Sequence, residues 1–304
     1  MNKNPLTLYI FTGAGNNFVV LDGRGRDMQE YRNPSRITEL CREHHTDGLM
    51  ILDTSSPCHS TATPCHSERS RGISSDFSME FYNPDGSGGM MCGNGGRCIV
   101  AFADMLGLTP AAPDGTWHFL APDGPHTATI LSRPTCHSEC PSRHSECPPR
   151  PSECPPCHSE RSEESSWTVR LKMIDVEGIT PVKDGYFLNT GTRHFVKFVD
   201  DVNAVDVAEE GKRLRWDPVF QPEGTNVNFV QVASDGLHVR TFEKGVEGET
   251  LACGTGLTAS AVVYGSSTNL QCRRGDWLKV EFTKNGTGAK DVFLTGPAEC
   301  VSII

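Results

Sequence analysis

The segment Gly254–Tyr264, GTGLTASAVVY, sets the tightest limit on what this chain can fold into. It is small and apolar on nearly every side, so as a helix it has no face to offer water and belongs inside a wrapped sheet rather than on a surface. Just ahead of it stands Leu251-Ala252-Cys253, an apolar pair and a cysteine leading into a Gly-Thr-Gly turn. The same arrangement occurs much earlier. MMCGNGGRC at 90–98 places Cys92 before Gly93-Asn94-Gly95 and opens a predicted helix over 93–106, with Ile99, Val100, Phe102, Ala103 and Leu106 on a broad apolar face.

The rest of the chain alternates strands with a few helices. Strands are predicted at 6–11, 18–22, 49–53, 77–82, 127–131 and 167–173, with a helix at 34–44 opened by Pro34 in its first turn. The second half repeats the plan, with strands at 186–189, 194–199, 226–232, 237–243, 277–283 and 291–295 and a helix near 204–214. Two similar halves, each with a cysteine at a glycine-lined helix start, is the expected architecture.

Thirteen cysteines in 304 residues would suggest a disulfide framework if they were evenly spread. Seven of them fall in two look-alike segments, 55–75 and 132–166, where CHSERS occurs twice and HSEC and PSEC variants fill the second. These segments are rich in Ser, Pro, Glu and Arg and have almost nothing apolar to bury, which marks them as disordered insertions at turn tips. Zinc is the alternative reading of their Cys and His residues, but a slipping repeat without fixed pairs argues against a structural site. A net charge of −10 argues against nucleic acid or an anionic membrane as partner. The chain shows no signal-like start and no membrane-length apolar run, which places it in the cytoplasm as an expectation.

A cysteine at a helix N-terminus meets unpaired N–H groups and partial positive charge, which favour its thiolate. The glycines beside it leave those N–H groups open to an anion such as a carboxylate. One such site could be a nucleophile, a redox centre or a packing accident. Two suggest a carboxylate-bearing carbon held between a thiolate that removes a proton from one face and a thiol that supplies one to the other. The thiols would then titrate as a coupled pair. No nucleotide fingerprint or pyridoxal lysine motif stands out, so no cofactor and no metal are expected.

The segments FTGAGNNFVVLD, YNPDGSGGMMCGNGGRC, GTNVNF, VRTFEKGVEGETLACGTG and GPAE together resemble those of the diaminopimelate epimerases, cofactor-independent enzymes that interconvert LL- and meso-diaminopimelate on the route to lysine and peptidoglycan. The resemblance runs from about Phe11 to Ala298, interrupted by the two insertions. It implies an α/β (α+β) fold of two pseudo-symmetric domains, each a curled mixed sheet around a central helix, with the active site in the cleft between them. The domains would be 1–172 plus 298–304, the terminal strand returning to the first, and 173–297. Cys92 and Cys253 would be the acid/base pair. Gly93, Asn94, Gly254 and Thr255 would receive the reacting carboxylate, Glu243 the reacting ammonium, and His194 with Glu243 would tune the thiols. Asn16, Asn83 and Asn226 would complete recognition of the substrate, diaminopimelate, with a homodimer as the candidate assembly.

Departures from the family pattern cluster at one end of that site. Thr192 and Lys244 stand where the family grips the distal carboxylate with an amide or hydroxyl and an arginine, and Asn17 stands where it has an aspartate. Lysine keeps the charge and loses the bidentate fork. Arg193 is new beside them, either weakening that grip or supplying a replacement guanidinium. Alternative functions are a related pyridoxal-independent racemase or epimerase with altered distal specificity, a metal- or redox-binding protein built on the repeat cysteines, and an inactive relative.

Overall fold

The computed structural model describes residues 6–54, 75–89, 92–134 and 166–304. The insertions expected at 55–75 and 132–166, with their zinc-ligand candidates, fall almost entirely outside the described residues, as do Met90 and Met91. The chain divides into two compact units, one drawn from Met1–Met91, Gly95–Val169 and Pro297–Ile304, the other from Cys92–Asn94 and Arg170–Gly296.

The first unit is built from β1 (Leu8–Gly13), β2 (Asn16–Asp22), α1 (Pro34–Glu43), β3 (Leu49–Asp53), β4 (Phe77–Tyr82), α2 (Gly93–Met105), β5 (Thr116–Ala121), β6 (Gly124–Ser132) and the start of β7 (Trp167–Lys172). Its strands lie in sequence order and the sheet is mixed: β2 runs parallel to β3 and β4 to β5, while β1–β2, β3–β4 and β5–β6 are antiparallel. Asn33 caps α1 by accepting from the Ser35 N–H, and Pro34 sits where no N–H is needed. One face of α1 buries Ile37, Leu40 and Cys41 against Val19, Leu21, Leu49 and Ile51. In α2 every residue from Cys98 to Ala103 is fully buried, and the Phe102 ring lies 5.0 Å from that of Tyr9 and 5.6 Å from that of Phe11. Both insertions interrupt neighbouring strands of the sheet, β3 to β4 and β6 to β7.

The second unit adds β8 (Thr180–Val182), β9 (Gly185–Asn189), β10 (Arg193–Phe198), α3 (Val207–Arg215), β11 (Asn226–Val232), β12 (Leu237–Glu243), β13 (Gly248–Thr250), α4 (Gly254–Tyr264), β14 (Thr268–Gln271), β15 (Trp277–Asn285) and most of β16 (Gly288–Ile303). The spatial order β16-β15-β14-β12-β11-β10-β9-β8 contains two parallel pairs, β10 with β11 and β12 with β14. Strand alternation sorts the side chains of β10, β11 and β12 onto two faces. Phe195, Val227, Phe229 and Phe242 pack with Val207, Leu214 and Phe220 around α3. Residues of opposite parity meet α4, which touches β9, β10, β11, β12, β14 and β15. This helix is enclosed, as its composition requires: from Gly254 to Val262 only Thr255 is not buried. Its buried hydroxyls are satisfied within the helix, Thr258 Oγ1 donating to the Gly254 carbonyl at 2.9 Å and Ser260 Oγ to that of Gly256 at 2.8 Å. Gly265 ends it in the left-handed region, φ 85°, with its N–H on the Ala261 carbonyl.

Helix α3 begins later than the periodicity suggests. Asp201 and Asp206 each cap their own turn, so Val202–Ala204 forms a separate 3-10 turn and the α-helix starts at Val207. Strand β16 is far longer than predicted, pairing first with β15 and then, from Glu299 to Ile303, with β1. Pro297 falls between those two pairings.

Candidate active site

The second unit gathers eleven of the thirteen sequence-predicted site residues. Contacts group Cys92, Gly93 and Asn94 with it, although the rest of α2 belongs to the first unit. Gly93 and Gly254, each the first residue of a helix, meet almost backbone to backbone. An ideal Cβ on Gly93 would lie 3.7 Å from the Gly254 α-carbon and 3.0 Å from Leu294 Cδ2, and one on Gly254 would lie 3.5 Å from the Gly93 α-carbon. Only glycine permits that approach at both positions without displacing Leu294. Asn94 is buried beside them.

Cys253 occupies the N-cap of α4 in extended conformation, and its carbonyl receives the first helical bond, from Leu257 N–H at 2.9 Å. Its side chain makes no capping hydrogen bond. Sγ lies 3.5 Å from Thr255 Oγ1, and the Gly256 N–H also favours its thiolate. The sequence predicts a lowered thiol pKa at such a helix start. The structure corrects this for Cys253: burial pushes the thiol up, the Glu243 carboxylate adds to the push, and the Thr255 hydroxyl and Gly256 N–H pull down without prevailing. Cys92 adds the smallest push in the same direction.

From Cys253 a line of polar groups runs inward. Thr192 Oγ1 lies 3.2 Å from Thr255 Oγ1 and 2.9 Å from Nε2 of His194, whose Nδ1 is 3.0 Å from the Asn228 amide nitrogen. Thr241 Oγ1 donates to Asn228 Oδ1 at 3.0 Å and closes the line. Strand register explains the assembly: His194 is paired with Asn226, and Asn228 with Thr241, so all four face α4. His194 is fully buried, which pushes its pKa down to about 3 and keeps the imidazole neutral.

Asn226 ties the outer end of the same face, donating to the Arg193 carbonyl at 2.9 Å and accepting from the Lys244 N–H at 2.8 Å. Glu243 ends β12 on this face, and Lys244 follows it, exposed. Arg193 points to the other face. Its guanidinium bonds Glu223 at 2.5 Å and lies 5.0 Å above the Phe187 ring. Asn16 and Asn83 belong to the first unit: Asn16 opens β2, and Asn83 anchors a tight turn through Ser87, its Nδ2 3.0 Å from Ser87 Oγ. Among the described residues no group of three or more His, Cys, Asp or Glu could hold a metal ion.

Asn228, Thr241 and Gly256 escaped the sequence reading. A signal for Asn228 existed: Asn226-x-Asn228 in an otherwise apolar strand puts two amides on one face, where each must find partners.

A protein described as diaminopimelate epimerase from Flavobacterium psychrophilum is 33% identical over 307 residues, spanning 97% of this chain and 98% of the relative. The chain belongs to the diaminopimelate epimerase family. Another of that description, from Aquifex aeolicus, is 35% identical over 301 residues, covering 93% of this chain and 91% of its own length. The family's model, diaminopimelate epimerase, matches residues 186–298, which hold the whole line from His194 to Cys253. The fold is shared more widely: a probable proline racemase from Agrobacterium radiobacter superposes with a TM-score of 0.60 over 98% of this chain and 92% of that one at 16% identity.

Proposed function

We propose that this isomerase interconverts LL- and meso-diaminopimelate by a two-base exchange of the α-proton between Cys92 and Cys253. The observation that carries the mechanism is the meeting of the two glycine-led helix starts that follow Cys92 and Cys253. Two thiolates so placed repel each other, which favours one thiolate and one thiol.

Cys253, pushed up by burial, rests as the thiol and is the proton donor when Cys92 abstracts. The Cys92 thiolate takes the α-hydrogen, and the C–H electron pair passes into the substrate carboxylate as an enediolate. The Cys253 S–H then protonates the opposite face, leaving Cys253 as thiolate and the carbon inverted. The helix N-termini beginning at Gly93 and Gly254 offer N–H groups to that carboxylate, whose charge grows as the proton leaves. An ammonium held by Glu243 would cancel the carboxylate's push on Cys253, so substrate binding itself would ready the thiol.

At the distal end, Lys244 is the exposed cation beside Asn226 and is assigned to the second carboxylate. A specific observation favours some change in distal specificity: the Thr192 hydroxyl is engaged by His194 and Thr255. A cytoplasmic location and a homodimer complete the reading on the strength of the sequence and the resemblance, and light scattering tests the second. Proton NMR of LL-diaminopimelate in D₂O tests the function. Loss of the α-proton signal with growth of the meso isomer is expected. Exchange only on other amino acids would move the assignment to the related racemases, and no exchange on any would overturn it.

A further inference from the structure

The hydrogen-bond line behind Cys253 has a direction, and one residue outside the family-derived set imposes it. The Phe195 carbonyl can only accept, so the Asn228 atom 3.1 Å from it is the amide nitrogen. Oδ1 of the same amide then faces the Thr241 hydroxyl, which donates to it. Asn228 thus presents N–H to His194 Nδ1 and cannot present anything else. Nδ1 of the neutral ring must accept, so the ring proton sits on Nε2 and is donated to Thr192 Oγ1. Thr192 Oγ1 also faces the Asn226 amide nitrogen at 3.4 Å, another donor, so its own proton turns to Thr255 Oγ1. The Thr255 hydroxyl is left to donate to Cys253 Sγ.

We infer that Asn228 is a positioning residue that locks the Nε2–H tautomer of His194 and so aims the chain His194–Thr192–Thr255 at Cys253, where it meets the thiolate formed when that cysteine gives up its proton. The inference rests on the two-cysteine reading. Gly256 is part of the same device: a Cβ there would lie 2.3 Å from Asn228 Oδ1, so the first turn of α4 is seated directly on the amide. Run in this direction the chain can stabilise a thiolate but cannot carry off the thiol's proton, because every hydroxyl on it already points its hydrogen toward the sulfur.

The test is Asn228→Asp, which keeps the shape and replaces the donor with an acceptor. A carboxylate at this position holds a proton on Nδ1 and raises the imidazole pKa, so His194 becomes titratable. Below that pKa the imidazolium still donates from Nε2. Above it the neutral ring keeps its proton on Nδ1, Nε2 turns acceptor, and Thr192 reverses toward it. The variant's kcat should therefore fall at least tenfold as pH rises through the new imidazole pKa, with KM little changed, whereas the parent shows no such fall. The other titratable groups facing this end, Glu243 from β12 and Cys92, are the same in both proteins.

Imidazole ¹⁵N NMR of histidine-labelled protein, with His194 assigned by the missing signals of His194→Gln, reads the tautomer without any turnover. Nε2–H is expected in the parent, and a proton on Nδ1 there would overturn the inference even if Asn228→Asp failed to fold. A switched tautomer with an unchanged kcat profile would overturn it equally. Thr241→Val, which frees Oδ1, should lower kcat severalfold, and an unchanged kcat would count against the lock. A parent that shows the Nε2–H tautomer but exchanges no diaminopimelate would sink the functional reading and leave the tautomer assignment standing.

Discussion

Acid should destabilise this protein through one histidine. His194 is fully buried, and its pKa falls from 6.5 to about 3 because the imidazolium would lose its water. The native state stays unprotonated where the unfolded chain takes up a proton. Below pH 6.5 the unfolded state binds the extra proton, so stability drops as pH falls, and the drop ends near pH 3 when the native ring protonates too. At about 1.4 kcal/mol per pH unit the whole window is worth ~5 kcal/mol, of which about 3 kcal/mol is lost by pH 4.5. Total stability of a folded domain is only about 5–15 kcal/mol, so this one group is decisive. Urea titrations of the parent and of His194→Gln at pH 7.5 and 4.5 isolate it, because all other carboxylates and histidines are common to both. The parent should lose about 3 kcal/mol more than the variant between the two pH values. Equal losses, or a His194 ring signal titrating near 6.5, would refute the reasoning.

Three further outcomes are expected. Cys92→Ala and Cys253→Ala should each keep the parent's circular dichroism and lose net epimerisation by at least about a thousandfold, since inversion then lacks one of its two proton-transfer groups; full turnover by either would remove the two-base assignment. Gly256→Ala should cost about 1–3 kcal/mol in chemical denaturation, as overpacking against a pinned amide does, because Asn228 cannot move without breaking its bonds to His194, Phe195 and Thr241. Lys244→Arg should lower KM for diaminopimelate severalfold at similar kcat by restoring a two-pronged contact to the distal carboxylate, and an unchanged or higher KM would show that Lys244 does not reach it.

The elements easiest to read in the sequence were those with strong alternation or a glycine boundary. Leu49–Asp53, Phe77–Tyr82, Asn226–Val232, Leu237–Glu243 and Gly254–Tyr264 fall where periodicity places them. The strands that escaped notice are mostly short or polar: Thr180–Val182 contains a proline, Gly248–Thr250 has no apolar residue, and Thr268–Gln271 buries only Leu270. Neighbouring strands hold these in place, and no local signal reports that. Thr116–Ala121 alternates well, with Trp117, Phe119 and Ala121 buried, and lay hidden between two turn-rich stretches. At the site, Cys253 and His194 could be named from motifs, whereas the thiol's raised pKa could not. Helix position is visible in a sequence, but the burial and the Glu243 carboxylate that outweigh it depend on packing. Asn228 and Thr241 matter through a partner each meets across a strand register, and register is a property of the folded sheet.

The pairing of Tyr9 with Ile303 carries a consequence for how the protein is made. During synthesis β1 emerges among the first strands, and its partner on one side, the end of β16, emerges after the entire second unit. Until then β1 presents an open row of N–H and C=O groups, the kind of edge that recruits other chains. Contacts so distant along the chain also close slowly. Nascent and refolding chains should therefore be most vulnerable to aggregation late in folding, after the second unit has formed and before the last strand arrives to seal the first.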